Sequence, residues 1–386
     1  MAAMVVVVLS GAIEAQLSPT ARPLEPIPGF AEFNRLGTGR GDCRFSTSVT
    51  QPILSAVAGV QPVSNLGYAW GLFSAQSNSP DGLYNSIQTK SLLEISVSTG
   101  NDASMGEPQG SNGVFACGIV SSDLSLDCFG ASTPTGITSP PTGAFFRVAA
   151  GYDHACALKF DASFIDVNSL LLNSETDRSS LYASVELSCW GTETTEGGTA
   201  FSNFDAGSSG NSASDPYVEV AAGAFFTCVR TLSGVLTCGG KTFFYDGADE
   251  VNADISGTVP AGFYGIVAAG PNNWCAVSES NVLSCDGEGL VNSSVTASGW
   301  SYSRGSLSVG NNFVCGIDDS TGLLQCARDT EIQDAATFAG LVSALQTQKI
   351  RAVGVNQWFI CVTDFDFQIS CNTDTAVIGN PTSNVA

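Results

Sequence analysis

Short apolar runs recur along the chain in one register, and the same polar turn signals separate them. A segment of the type Val-Ala-Ala-Gly precedes an apolar run such as CALKF, CVRTL, CAVSE or CGIDD. A turn containing Ser-Gly, Ser-Asn or Thr-Gly follows in three copies, and then a second run, VLTC, VLSC or LLQC. Two short apolar runs joined by such a turn predict a β-hairpin in each repeat.

Cysteines mark the two strands of each predicted hairpin. They form the successive pairs Cys117/Cys128, Cys156/Cys189, Cys228/Cys238, Cys275/Cys285, Cys315/Cys326 and Cys361/Cys371. In five of the six pairs the partners are ten or eleven positions apart. Across a tight turn this spacing places both cysteines near opposite positions of antiparallel strands, within disulfide reach. We therefore expect one cross-strand disulfide in most repeats.

A glycine five residues before the first cysteine repeats as regularly as the cysteines. It is present as Gly151, Gly223, Gly270 and Gly310, and Asn356 replaces it in the last copy. Asn is the best substitute for Gly at a positive backbone φ, so we predict a turn of that conformation. In the copy ending at Cys117, the segment ISVSTG closes at Gly100. Upstream, YAWGL resembles FACGI and places Trp70 in the cysteine position of a seventh repeat.

Seven units of about 45 residues account for nearly all of the 386 residues. Each unit is too small to bury its faces alone, so neighbouring units must stack, and radial stacking of small sheets limits exposed strand edges. The sequence therefore predicts an all-β fold, a seven-bladed β-propeller over 41–386. Helical character is confined to the segment 335–348, an expected connector.

The amino terminus and the cysteine content predict export. Residues 1–15 contain the run MVVVVLSGAI followed by small residues, which resembles a secretory signal peptide cleaved after Ala15; a buried N-terminal strand is the alternative. A Pro-rich extended segment follows at 16–40. Regular cysteine pairs are typical of an oxidising compartment. No other apolar stretch is long enough to span a membrane, so we expect a soluble, secreted protein.

The string HACALKF, followed after an insertion by LSCWG, resembles the repeat of the regulator of chromosome condensation superfamily. Its paired cysteines are similar to those of secreted bacterial propellers and of crinkly-type plant receptor ectodomains. The resemblance covers Cys117 to Cys371 and, more weakly, Trp70. It implies a seven-bladed propeller, but members of the superfamily differ widely in activity, so it does not select a function.

Charge and composition exclude several functions. A net charge of −22 without a basic stripe argues against binding nucleic acid. The only histidine, His154, occupies a repeat position that elsewhere holds Phe226, Asn273, Phe313 and Phe359, so we assign it a structural role. The cysteine spacing is not that of a zinc site. We therefore expect no catalytic residue, no cofactor and no metal site.

Acidic residues in close sequence pairs are the remaining candidates for acid–base or metal chemistry. These are Asp249-Glu250, Asp318-Asp319 and Asp364 with Asp366, and the stretch NADISG at 252–257 weakly resembles a calcium loop. We interpret the acidic pairs as solvated loop residues, and we assign no calcium to 252–257 because the twelfth position is Phe263 and not Glu.

Cys43 leaves the number of cysteines odd at 13. In an exported protein such a cysteine can be a free thiol, form a disulfide with another chain, or take part in a rearranged pairing within this chain. A buried, unpaired cysteine without a function is the simplest interpretation. Asn292 begins an N-glycosylation sequon.

An insertion between Cys156 and Cys189 carries Leu170, Leu171, Leu172 and Tyr182. Insertions in repeats lie on exposed faces and are often binding elements, so these residues either pack on their own blade or contact a partner.

These features favour a non-catalytic binding or assembly module for a protein or glycan partner at the cell surface. One alternative is a structural subunit of an extracellular matrix or surface filament, in which Cys43 supports homo- or hetero-oligomers. A second is a propeller-type glycan hydrolase or lyase.

Overall fold

The computed structural model describes residues 46–48, 56–60, 67–71, 92–98, 115–130, 136–152, 154–160, 185–191, 215–246, 249–255, 259, 261–287, 307–310, 313–318, 320–328, 342–343, 345, 349–355, 359–364 and 369–373. This part of the chain is almost entirely β-structure. Its strands are β1 (Ser46–Ser48), β2 (Ala56–Val60), β3 (Gly67–Gly71), β4 (Leu92–Val97), β5 (Phe115–Val120), β6 (Leu126–Gly130), β7 (Ala144–Ala150), β8 (His154–Phe160), β9 (Glu186–Gly191), β10 (Tyr217–Ala222), β11 (Phe226–Thr231), β12 (Leu236–Asp246), β13 (Asp249–Asp254), β14 (Tyr264–Ala269), β15 (Asn273–Ser278), β16 (Leu283–Gly287), β17 (Ser308–Val309), β18 (Phe313–Ile317), β19 (Leu324–Arg328), β20 (Ile350–Val355), β21 (Phe359–Asp364) and β22 (Ile369–Thr373).

The described strands form seven antiparallel sheets in chain order. We number them sheet 1 (β1–β3), sheet 2 (β4–β6), sheet 3 (β7–β9), sheet 4 (β10–β13), sheet 5 (β14–β16), sheet 6 (β17–β19) and sheet 7 (β20–β22). Each strand pairs with the next one in sequence. The all-β class and the repeated hairpins are therefore confirmed. Each hairpin is joined by a first strand, which ends in Val-Ala-Ala in sheets 3, 4 and 5.

The sheets adjoin one another through their first strands. β4 lies beside β7, β7 beside β10, β10 beside β14, β14 beside β17, and β17 beside β20. The strand β1 lies beside both β4 and β20, so the first sheet adjoins the second and the last.

Where side chains are described, the third strand of a sheet is less buried than its middle strand, and the first strands β7 and β10 are almost entirely buried. β11 and β18 are buried along their whole length, whereas β16 and β19 are mostly half-buried. The apolar clusters lie between sheets: one joins Phe226 of sheet 4 to Trp274 of sheet 5, and another joins Phe313 of sheet 6 to Val353 of sheet 7. Both faces of an inner strand are thus covered, which explains why every residue of β11 and β18 is buried instead of every second one.

Serine side chains also link neighbouring sheets. Ser96 Oγ accepts a hydrogen bond of 3.0 Å from the Ala150 backbone N–H, and Ser308 Oγ accepts one of 3.0 Å from the Val355 N–H. Both serines lie opposite the first cysteine of their own sheet. Because a first strand has a strand partner on one side only, these bonds satisfy backbone groups on its other edge.

An irregularity in strand register recurs near the start of five first strands. In sheets 3, 4 and 5 it directly follows Phe145, Tyr217 and Tyr264, which are buried. These three aromatic residues therefore belong to the core. Burial also raises the pKa of the Tyr264 hydroxyl.

Sheet 1 corrects the placement of the first repeat. Trp70 lies on the third strand, β3, and pairs with Val57. The pair Ala58 and Ala69 occupies the register of the two cysteines, and Trp70 matches the position of Trp190, one residue after the second cysteine. The prediction that Trp70 stands in the first cysteine position was therefore wrong.

The repeat glycine serves a different purpose from the predicted one. None of the four glycines has a φ in the left-handed region, so the predicted turn conformation was wrong. A Cβ built on Gly223 would overlap the Phe226 ring, and one built on Gly151 would overlap the His154 ring and lie 2.6 Å from the Gly223 carbonyl oxygen. The glycine is required because the side chain three residues later folds over it. Positive φ values occur instead two residues after the second cysteine, as at Gly240.

The remaining two predictions about this turn have separate outcomes. In sheet 2 the residue that matches the repeat glycine is Ser98, whose N–H donates to the Phe115 carbonyl, and not Gly100. Asn356 lies outside the described residues.

Candidate binding surface

Cross-strand disulfides connect the second and third strands of five sheets. The bonded pairs are Cys117–Cys128, Cys156–Cys189, Cys228–Cys238, Cys275–Cys285 and Cys315–Cys326, with Cα atoms 4.0–4.1 Å apart. Cys361 is also disulfide-bonded, and its cross-strand neighbour is Cys371. The first cysteine of each pair is fully buried. These bonds are structural links within sheets and offer no reactive thiol to a substrate.

His154 lies in the interface between sheets 3 and 4. It is fully buried, and its Nε2 is 3.0 Å from the hydroxyl of Thr227, which is also fully buried. Phe226, Asn273 and Phe313 occupy the same slot in later sheets and are equally buried. A histidine sealed in this way has no access to a substrate, in keeping with the structural role assigned to it.

Two buried ion pairs, which sequence reasoning missed, lie on or beside the first strands. Arg147 Nη1 is 3.3 Å from Glu94 Oε2 and joins sheets 3 and 2. Arg230 Nε donates to Glu219 Oε2 over 2.8 Å, and the same oxygen accepts a bond of 3.2 Å from the Val267 N–H of sheet 5. The available signal was a single charged residue inside an otherwise apolar strand, as in LLEISV, AFFRVAA and YVEVAA. All four side chains are at most 8% exposed, so they stabilise sheet contacts and do not form a ligand site.

Acidic residues at the hairpin turns are engaged in local hydrogen bonds. Asp215 accepts bonds from the Ser233 backbone N–H and hydroxyl at 2.7 and 2.6 Å. Asp318 accepts bonds from the N–H and hydroxyl of Ser320 at 2.8 and 2.7 Å. Carboxylates occupied in this way cap turns, so Asp318 fits its assignment to a loop.

The other acidic pairs do not all lie in loops. Asp249 and Glu250 begin β13, residues 252–254 continue it, and Asp364 ends β21. The interpretation of Asp249, Glu250 and Asp364 as loop residues was therefore wrong. Among the described residues, no cluster of three or more His, Cys, Asp or Glu side chains is arranged to hold a metal ion.

A two-stranded extension of sheet 4 is the feature that distinguishes this sheet from the other six. The first five residues of β12 pair with β11, whereas Lys241–Asp246 pair only with β13. We call the pairing of 241–246 with 249–254 the ribbon. Its sequence, KTFFYD on one strand and DEVNAD on the other, combines three consecutive aromatic residues with four acidic residues. Aromatic residues of this kind are enriched at protein interfaces, which makes the ribbon the candidate binding element of the described chain.

The other sequence-predicted surface residues lie outside the described residues. These are Cys43, Asn292, Leu170, Leu171, Leu172 and Tyr182. Within the part that the structure describes, no helix is long and apolar enough to cross a membrane.

Comparison with known proteins gives fold similarity without a family. No family model matches the chain, and no curated protein matches it. The entire ectodomain of the Physcomitrella patens receptor kinase CR4 matches with a TM-score of 0.53 and 16% identity, covering 85% of this chain and 73% of that one. The ectodomain of the Arabidopsis thaliana receptor kinase ACR4 matches with a TM-score of 0.53 and 15% identity, covering 88% and 98%. Prp20p of Saccharomyces cerevisiae matches more weakly, with a TM-score of 0.40 and 12% identity over 63% and 60%.

At these identities the two ectodomain structures show a common fold, a propeller-like arrangement of repeated sheets. The resemblance to crinkly-type ectodomains is confirmed at this level. Membership of the wider superfamily stays a prediction.

Proposed function

We propose that this chain is a secreted, non-catalytic β-propeller module that binds a protein or glycan partner at the cell surface. The observation that carries the proposal is the repeated cross-strand disulfide, present with full geometry in five sheets. Such bonds form and persist in oxidising, extracellular environments. The fold similarity to two receptor ectodomains supports the same compartment and a role in recognition.

The proposed architecture is a closed ring of seven blades over residues 41–386. The seven sheets and the position of β1 beside both β4 and β20 support it. Residues 1–15 are proposed to be the signal peptide and 16–40 a Pro-rich lead-in.

Three surface features complete the proposal. The insertion with Leu170, Leu171, Leu172 and Tyr182 contacts the partner, Asn292 is glycosylated in a eukaryotic host, and Cys43 forms a bond to another chain. The unmatched cysteine and the apolar residues in an inserted segment motivate these assignments.

The test uses the oxidised protein, labelled at an amine, and intact cells of its source. Saturable binding that excess unlabelled protein displaces is the expected result, and reduced, alkylated protein is the control. Pretreatment of the cells with protease or with glycosidase separates a protein partner from a glycan. Binding that is neither saturable nor displaceable would overturn the proposal, and self-assembly into large species on a sizing column would favour the structural subunit instead.

A further inference from the structure

The outer strand of the ribbon, β13, has an edge whose backbone groups can be assigned from the register of the pairing. The pairing of β12 with β13 runs without interruption from Lys241 opposite Asp254 to Asp246 opposite Asp249. The Ile255 N–H donates to the Gly240 carbonyl over 3.2 Å, which fixes one hydrogen-bonded pair at the base. Bonded and non-bonded pairs alternate in an antiparallel ladder.

From this base, the alternation assigns the direction of every backbone group in β13. Val251 and Ala253 exchange their bonds with β12. Glu250, Asn252 and Asp254 therefore direct N–H and C=O groups away from β12. The bond of 3.0 Å from the Lys241 N–H to the Phe225 carbonyl agrees, because it places the N–H of a non-bonded pair on the side away from β13.

No strand of the described chain pairs with this outer edge, because β13 is the last strand in the order of sheet 4. An unpaired edge is a template for adding a further strand. A two-stranded ribbon alone is marginally stable in water, so an added strand would also stabilise the ribbon.

The charge of the edge selects the kind of strand that fits. β13 carries Asp249, Glu250 and Asp254 and has no basic residue. Like charges on paired strands are destabilising, whereas opposite charges are favourable. A second copy of this chain, with a net charge of −22, would meet repulsion at the edge and over the whole molecule.

We propose that the outer edge of β13 is a docking site for an extended basic segment of another protein, which adds to sheet 4 as a strand. The bound segment pairs with the outward backbone groups of Glu250, Asn252 and Asp254. Its Lys or Arg residues complement the negative charge that Asp249, Glu250 and Asp254 give to β13. This inference deepens the proposed binding function by naming the chemistry of one partner, and it rests on that function.

The experiment measures fluorescence anisotropy of a labelled eight-residue peptide of alternating Lys and Thr, titrated with the oxidised full chain. An alternating Glu and Thr peptide is the control probe. The decisive variants are Asn252→Pro and Asn252→Ala. Proline removes an outward N–H and leaves the bonds to β12 intact, whereas alanine keeps the N–H.

We expect the basic peptide to bind and the acidic one not to bind. Asn252→Pro should weaken binding at least tenfold, and Asn252→Ala should stay within threefold of the unsubstituted chain. Circular dichroism of both variants verifies the fold. Equal affinity for the two variants would show attraction by charge alone and overturn the inference, as would absence of peptide binding. If the Asn252→Pro variant no longer binds the peptide but still binds cells, another surface is responsible for binding to cells. If the unsubstituted chain does not bind cells, the proposed function itself is wrong.

Discussion

At the scale of single residues, the repeat depends on a small residue beneath a large one. The side chain three positions later folds back over Gly151, Gly223 and Gly270, and it is histidine, phenylalanine or asparagine. The position therefore requires a side chain of suitable shape and not one particular chemistry. This is why the only histidine of the chain can occupy it without a catalytic role.

We expect Gly223→Ala to destabilise the protein by about 1–3 kcal/mol, because the new methyl group overlaps the Phe226 ring in a packed interface. Chemical denaturation measures the loss. Gly262→Ala is the matched control, because the nearest atom to its Cβ is 3.7 Å away, and it should change stability by less than about 0.5 kcal/mol. A smaller effect of Gly223→Ala in a Phe226→Ala background is also expected; an unchanged effect would contradict this explanation.

The buried pair Glu94–Arg147 gives a second residue-scale prediction. Glu94→Leu should cost about 3–5 kcal/mol, because it leaves the Arg147 charge buried without its carboxylate. Adding Arg147→Met should recover most of the loss, since two apolar side chains of similar volume satisfy the same interface. Urea unfolding of both variants checks this. A double variant no more stable than the single one would indicate that the ion pair itself is required.

At the scale of elements, the hairpins could be predicted from the sequence. The strands and sheets that lie beside each hairpin could not. A cysteine pair ten residues apart across a Ser-Gly turn defines two paired strands locally, so the hairpin of Cys228 and Cys238 follows from spacing. Trp70 was misplaced because YAWGL and FACGI look alike, and only the pairing partner distinguishes a middle strand from a third strand.

The candidate site was harder to predict for a related reason. The ion pair of Glu94 and Arg147 joins residues 53 positions apart on different sheets, and no local pattern encodes that contact. The ribbon did carry a local signal, since Asp246-Gly247-Ala248-Asp249 separates an aromatic run from an acidic one. Asp249 and Glu250 were interpreted as loop residues, although the turn before them indicates the start of a second strand.

Loop length should rank the disulfides by their contribution to stability. The Cys228–Cys238 bond closes a loop whose ends are 10 residues apart, whereas the Cys156–Cys189 bond closes one whose ends are 33 residues apart. The chain-entropy relation gives about 2–3 kcal/mol for the short loop and about 1 kcal/mol more for the long one. Double Cys→Ala variants of each pair, unfolded in urea, measure the two values. Equal losses would mean that packing around the bond, and not loop closure, dominates.

At the scale of the whole molecule, the core lies between sheets, so each sheet needs both of its neighbours. The cluster that includes Phe115, Phe145 and Tyr217 spans sheets 2, 3 and 4, and other clusters of the described residues likewise join neighbouring sheets. The disulfides act differently, because each one links two strands of a single sheet. Loss of one bond therefore weakens one sheet directly and its two neighbours through the shared interfaces.

We expect stepwise reduction to lower the thermal midpoint progressively, since each lost bond releases the loop of one sheet while the interfaces to neighbouring sheets still hold it. Samples with increasing numbers of reduced, alkylated cysteines, counted by mass spectrometry, should melt at successively lower temperatures. A protein heated and cooled under the same alkylating conditions without reductant is the control. A midpoint that stays constant after verified full reduction would show that inter-sheet packing alone sets stability. If the thermal midpoint instead falls completely when the first bond is reduced, the sheets unfold as one unit and the individual disulfides do not stabilise them separately.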